Sequence, residues 1–288
     1  MRLKAEFLAI LLLLSGTAQA SELTFAVIGD YGDGGRRESR VATLVRSWSP
    51  DVVLTLGDNN YPSGAAGTLD RHVGRDYHSF IAPYRGRYGL GAQANQFFPT
   101  LGNHDWMEKN IDAHLRYFTL PGNGRYYDFV RGPVHFFALD SDGREPDGNT
   151  ADSTQGRWLR DRLAASTAPF KVVYFHHPPY SSSNKHGSSR WMQWPFRAWG
   201  ADVVLAGHDH TYERIVSPED GMHYIVNGLG GAKAYGFGPP VRGSLKRFNA
   251  DVGALRVVAD ERLMTFSFIT QRGKVIDEFV LRGRTHSP

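Results

Sequence analysis

The sequence predicts an α/β fold in which two packed mixed β-sheets are flanked by helices. Three observations carry that prediction. A strand, a helix and a second strand follow one another within about 34 residues, from Leu23 to Leu56. Two further short apolar runs, FKVVYF at 170–175 and DVVLA at 202–206, have the composition of strands buried on both faces. The last third of the chain is mostly strand, with candidates at 224–226, 254–258, 264–269 and 275–281.

The first twenty residues stand apart. MRLKAEFLAILLLLSGTAQA places Arg2 and Lys4 ahead of an apolar run from Phe7 to Leu14. It closes on Ala18-Gln19-Ala20, the A-x-A form of a secretory cleavage site. The apolar run is less than half the ~20 residues that a membrane span needs. The expectation is a cleaved export signal at 1–20 and one domain at 21–288, in the periplasm or the medium. The chain has no Cys. Its core must hold it without disulfides, and no cysteine near the cleavage site can carry a lipid.

The elements follow in order. LTFAVI at 23–28 is a strand that stops at Gly29-Asp30. Val41, Leu44, Val45 and Trp48 fall at i, i+3, i+4 and i+7, one stripe of a helix that begins near Arg36 and ends before Ser49-Pro50. Residues 51–56 are the second strand, and such a βαβ crossover is right-handed almost without exception. QFFPTL at 96–101 is a strand candidate whose Pro99 lacks a ladder donor. Residues 126–130 and 134–139 make a hairpin around Arg131-Gly132-Pro133. SDGREPDGNTADST at 141–154 is polar and turn-rich, a surface loop. Asp152-x-x-Gln155 then resembles a helix start, with Trp158, Leu159 and Leu163 on the buried face. No linker, repeat or low-complexity tract interrupts the chain.

The formal charge is +4 and the pI about 9.2. The basic residues are scattered through Arg36/Arg37/Arg40, Arg85/Arg87, Arg157/Arg160/Arg162 and Lys246/Arg247. They do not alternate with aromatics as a base-stacking groove would. They read as a solvated surface, and nucleic acid is not an expected partner. Trp191, Trp194 and Trp199 read as packing residues. GLGGAKAYG at 228–236 lacks the G-K-[ST] of a P-loop and reads as a loop bordering the site.

Five apolar runs end at once in polar residues of related chemistry. They lead into Gly29-Asp30, Gly57-Asp58-Asn59-Asn60-Tyr61, Gly102-Asn103-His104-Asp105, His176-His177 and Gly207-His208-Asp209-His210. Any one of these is ordinarily a turn, a cap or a hydrogen-bonded core residue. Ligands in α/β sheets bind beyond the carboxyl ends of strands, so the five tips should converge. Carboxylates, an amide and imidazoles without thiolate suit Fe, Mn or Zn rather than Ca alone. The donors are too many for one tetrahedral ion. Two metals about 3.5–4 Å apart, bridged by one carboxylate, would use them all.

The ordered set GDYG, GDNNY, GNHD, VVYFH and GHDH resembles the calcineurin-like metallophosphoesterases, from Asp30 to His210 and on to VNGLGG. Most members of that superfamily carry Asp-x-His at the first tip and Gly-Asp-x-x-Asp at the second. Here Gly32 stands where the imidazole would be, and Tyr61 supplies a phenol. That exchange resembles the purple acid phosphatase branch, in its small single-domain form. The resemblance implies a four-layer αββα sandwich with its metal site at the carboxyl ends of the strands. It implies Fe(III) on Asp30, Asp58, Tyr61 and His210, and divalent Fe, Zn or Mn on Asp58, Asn103, His176 and His208. It also implies His104 and His186 facing the substrate, and hydrolysis of a small phosphate monoester by a metal-bound hydroxide without a phosphoenzyme. The residues leave open the role of His177, and a structural one is a fair alternative. Asp140 reads as a strand-end cap. Rival readings are a divalent-metal phosphodiesterase or nucleotidase on the same fold, and a non-catalytic metal- or phosphate-binding protein. No membrane partner is expected after signal cleavage. Nothing in the sequence sets the oligomeric state, for which a monomer is the simplest expectation.

Overall fold

The computed structural model describes residues 22–283. The export signal expected at 1–20 lies outside the described residues. Strand β1 (Leu23–Ile28), helix α1 (Arg36–Ser47) and strand β2 (Val52–Thr55) form the expected crossover, with β1 and β2 parallel. The remaining strands are β3 (Phe97–Pro99), β4 (Tyr127–Arg131), β5 (Val134–Ala138), β6 (Phe170–Phe175), β7 (Val203–Ala206), β8 (Tyr212–Val216), β9 (His223–Asn227), β10 (Ser244–Phe248), β11 (Gly253–Ala259), β12 (Leu263–Thr270) and β13 (Val275–Arg282). Helix α2 (Thr154–Ala165) lies between β5 and β6.

Two mixed sheets result. One runs β13-β12-β11-β1-β2-β3 and the other β10-β8-β9-β7-β6-β5-β4. Strands β1, β2 and β3 are mutually parallel in the first, and β5, β6, β7 and β9 in the second. Side-chain alternation explains why these strands read as unbroken apolar runs. Phe25, Val27, Val52 and Leu54 meet Phe136, Val172, Tyr174 and Leu205 of the other sheet. Ala26, Ile28 and Val53 face away, against Val41, Ala42 and Val45 of α1. Phe137, Val173, Phe175 and Val204 likewise back onto Leu159 and Leu163 of α2. The four layers are therefore helix, sheet, sheet and helix.

The differences from expectation have physical causes. Pro99 ends β3, which pairs only with β2 at the sheet edge, where a missing N–H costs nothing. Ser153, one residue later than the expected start, caps α2 by accepting Gly156 N–H at 3.0 Å. The 141–154 segment is not wholly superficial. Ser141, Asp142 and Glu145 are buried, and Arg125 and Arg144 neutralise the two acids at 3.0 and 2.7 Å. Strand β8 has no apolar signature because Glu213 and Arg214 sit mid-strand. Glu213 accepts Ser182 N–H at 2.7 Å, and Arg214 pairs with Asp277 at 2.7 Å. Trp194 is buried, but Trp191 is 46% exposed and donates its indole N–H to Ser141 O.

Candidate metal centre

Strands β1, β2, β3, β6 and β7 all end at one rim, and the polar tips that follow them meet there. Three tip residues adopt the left-handed backbone that non-glycine residues rarely take: Asp30 at φ 56°, Asp58 at 53° and His208 at 68°. Such strain persists only where surrounding structure enforces it, and it concentrates at functional sites. Gly57, at φ 84°, is required by contact as well, since a Cβ there would lie 2.7 Å from His176 Nδ1. A Cβ on Gly32 would collide with the Asn59 carbonyl, so position 32 admits no side chain in this backbone.

The donors fall into two groups joined by one residue. In the first, the Tyr61 hydroxyl lies 2.9 Å from Asp58 Oδ2, 3.3 Å from Asp30 Oδ1 and 3.3 Å from His210 Nε2. His210 Nε2 is itself 3.3 Å from Asp30 Oδ1. In the second, His176 Nε2 lies 3.1 Å from Asn103 Oδ1, 3.2 Å from His208 Nδ1 and 3.4 Å from Asp58 Oδ1. The two oxygens of Asp58 are thus divided between the groups. His176 Nδ1–H donates to Leu56 O at 2.7 Å, and His210 Nδ1–H to Lys233 O at 2.8 Å. With Nδ1 so engaged, each neutral ring turns a bare Nε2 inward. A bare nitrogen ringed by oxygen acceptors at these distances is the donor set of a cation, and the residues fit one.

The charges respond accordingly. Burial raises the Asp30 carboxyl, but the hydrogen bond and charge of His210 outweigh it and the net shift is downward. Burial acts to lower His176, yet the Asp58 and Asp30 carboxylates carry it upward. His210 also rises, its burial overcome by the Asp30 hydrogen bond and charge. Burial together with Asp30 and Asp58 pushes the Tyr61 phenol well above its usual value. Burial and four neighbouring imidazoles drive His208 far below the ordinary imidazole range.

The residues expected to face a substrate stand around these groups. The His104 ring lies 4.5 Å from the Tyr61 ring, and its Nδ1–H donates to Pro62 O at 2.6 Å. Its Nε2 is 3.9 Å from Asp58 Oδ2. The exposed His186 ring is 4.1 Å from that of His208. All nine residues singled out in the sequence therefore share one cluster. Four others belong beside it and were not given roles. Tyr235 stacks on His210 at 4.0 Å, on the expected bordering loop. Asp105 receives N–H donors from Gly102 and Asn59, and burial and the Asp58 charge push it up to about 7. Asp209 holds Ser181 Oγ at 2.6 Å and Gly187 N–H at 3.1 Å, which fixes the loop bearing His186. Arg144 donates to Asn103 O at 3.1 Å. Asp105 and Asp209 sit inside the GNHD and GHDH runs and Tyr235 on the loop expected to border the site, so a signal existed for these three; Arg144, in the 141–154 loop, had none.

Residues 23–212 match the family described as calcineurin-like phosphoesterase. The chain is 26% identical over 263 residues to tartrate-resistant acid phosphatase type 5 of Rattus norvegicus, covering 78% of this chain and 77% of that protein. It is 28% identical over 244 residues to purple acid phosphatase 7 of Arabidopsis thaliana, covering 74% and 71%. The fold is similar to that of purple acid phosphatase PPD1 from yellow lupin seeds, with a TM-score of 0.73 at 17% identity. That superposition covers 92% of this chain and 54% of the lupin chain.

Proposed function

Because the chain belongs to the calcineurin-like phosphoesterase family, we propose that it is an acid phosphatase that hydrolyses small phosphate monoesters at a two-metal centre. The observation that carries this reading is the division of Asp58, one oxygen toward Tyr61 and the other toward His176. Asp30, Asp58, Tyr61 and His210 would hold Fe(III), since hard anionic oxygens suit a trivalent ion. Asp58, Asn103, His176 and His208 would hold divalent Fe, Zn or Mn. When bound, such a pair lowers the pKa of water and neutralises the charge of the ester during in-line displacement.

The remaining work falls to side chains. His104 is held through Nδ1–H, and its imidazolium form carries a second proton on Nε2, which would pass to the departing alkoxide as the P–O ester bond breaks and the oxygen of water bonds to phosphorus. His186 borders the site on the His208 side and would hydrogen-bond the phosphoryl oxygens. No residue of the chain becomes phosphorylated in this scheme. Residues 1–20 are read as an export signal and 21–288 as one domain, released to the periplasm or medium. No described helix is long and apolar enough to cross a membrane.

Purified protein should turn over an aryl phosphate monoester faster than the matching diester, contain two metals per chain and show a visible band after oxidation with iron. A preference for the diester, with two divalent ions and no colour, would favour the phosphodiesterase reading. Absence of turnover in fully loaded protein would leave only a binding role.

A further inference from the structure

His177 follows the ligand candidate His176 and lies with it at the centre. One ring nitrogen from each of His176, His177 and His208 falls within 4.8 Å of the others. The His177 ring is 4.4 Å from the His208 ring and 4.9 Å from the His176 ring. Geometry alone would allow a further metal ligand, a structural residue or a group facing the substrate.

The protons distinguish these. Ser141 Oγ accepts the backbone N–H of His177 at 2.9 Å and lies 2.9 Å from its Nδ1. A hydroxyl has one proton to give. Ser141 is fully buried, and among the described residues Nδ1 is the one acceptor within reach of its hydroxyl proton, so Ser141 donates that proton to Nδ1. The ring proton of neutral His177 then resides on Nε2, and a protonated Nε2 cannot bind a metal. Nε2 makes no hydrogen bond to the protein and is not among the fully enclosed polar atoms without a partner in the described residues. Trp191, whose indole N–H is fixed to Ser141 O, covers the ring from 5.6 Å and holds it in place.

We propose that His177 is a substrate-binding residue whose Nε2–H, its tautomer set by Ser141, donates to a phosphoryl oxygen beside the His176/His208 half of the centre. The proposal rests on the phosphatase reading for the identity of the anion. It differs from His104 in chemistry: His104 gives a proton away, whereas His177 keeps its proton and only grips the anion.

The test is a calorimetric titration of metal-loaded protein with inorganic phosphate, alongside metal analysis. It reads His177 whether or not the protein turns over esters, so its failure and that of the phosphatase reading are separable. His177→Phe should keep both metals and bind phosphate roughly ten- to a hundredfold more weakly, the worth of one hydrogen bond to a charged group. His177→Gln, which puts an amide nitrogen near the place of Nε2, should restore most of that affinity. His177→Asn, which reaches only as far as Nδ1, should not. This Gln/Asn comparison decides the matter even where the Phe variant fails to fold. Loss of a metal from the Phe or Gln variant would make His177 a ligand. Equal phosphate affinity in the Gln and Asn variants would make it structural. Either result overturns the proposal.

Discussion

Tyr61 shows how much a single oxygen can decide. Its ring would fill the same space as a phenylalanine, but its hydroxyl is within 3.3 Å of two carboxylates and an imidazole nitrogen. Neighbouring charge and burial keep that phenol protonated unless a cation competes for it. Tyr61→Phe should therefore fold, bind Fe(III) less tightly and lose the visible charge-transfer band of oxidised, iron-loaded protein. If Tyr61 only packs, the variant keeps its colour and loses about 1 kcal/mol of stability, one hydrogen bond's worth. A visible spectrum beside a denaturation curve separates the two. Gly32 is the complement of Tyr61: it stands where the family resemblance implies an imidazole, and the backbone leaves no space for any side chain there.

At the level of elements, strand ends carry the donors and the flanking helices keep the strands in place. Helix α2 covers the outer face of β6, so its stability bears on where His176 stands. The Ser153 hydroxyl satisfies one N–H at the start of α2 and also donates to Thr150 O at 2.6 Å. Ser153→Ala should cost about 1 kcal/mol in chemical denaturation, the usual price of a lost cap, with metal content unchanged. Loss of a metal in that variant would show the loop and the centre to be coupled more tightly than the hydrogen bonds indicate. The crossover, the hairpin and the four C-terminal strand candidates were all legible as patterns of apolar residues. Strands β8 and β10 and the helical turns between Ala66 and Phe80 were not. Their charged or irregular residues are satisfied by partners far along the chain, as Arg214 is by Asp277.

At the scale of the whole molecule, one buried group away from the centre should bear on acid tolerance. His114 is buried, its Nε2 has no hydrogen-bond partner, and desolvation lowers its pKa to about 3. The unfolded chain would hold this imidazole near its ordinary value of ~6.5. The folded pKa is the lower one, so the unfolded state binds the extra proton. Stability is full above about pH 6.5 and falls as the pH drops toward 3, by at most roughly 5 kcal/mol. His114→Phe should flatten that acid limb while leaving stability near pH 8 within about 2 kcal/mol of the parent. Denaturation midpoints measured from pH 4 to 8 test this, and an unchanged slope would show that other groups govern the acid limb.

The sequence by itself pointed to the fold class and marked eight of the nine candidate site residues at strand ends, while His186 was marked only by the family resemblance. It could do so because each motif is local: an apolar strand, a turn-forming glycine and a ligand-type residue lie within a few positions of one another. Tertiary structure alone decided how the donors divide about Asp58, which ring nitrogens turn inward and what stands beside them. Those outcomes depend on contacts such as His176 with Leu56 O, His210 with Lys233 O and Ser141 with His177. Each joins separate segments, 120 residues apart in the first case, and a hydrogen bond between strand ends distant in sequence leaves no local pattern in the chain.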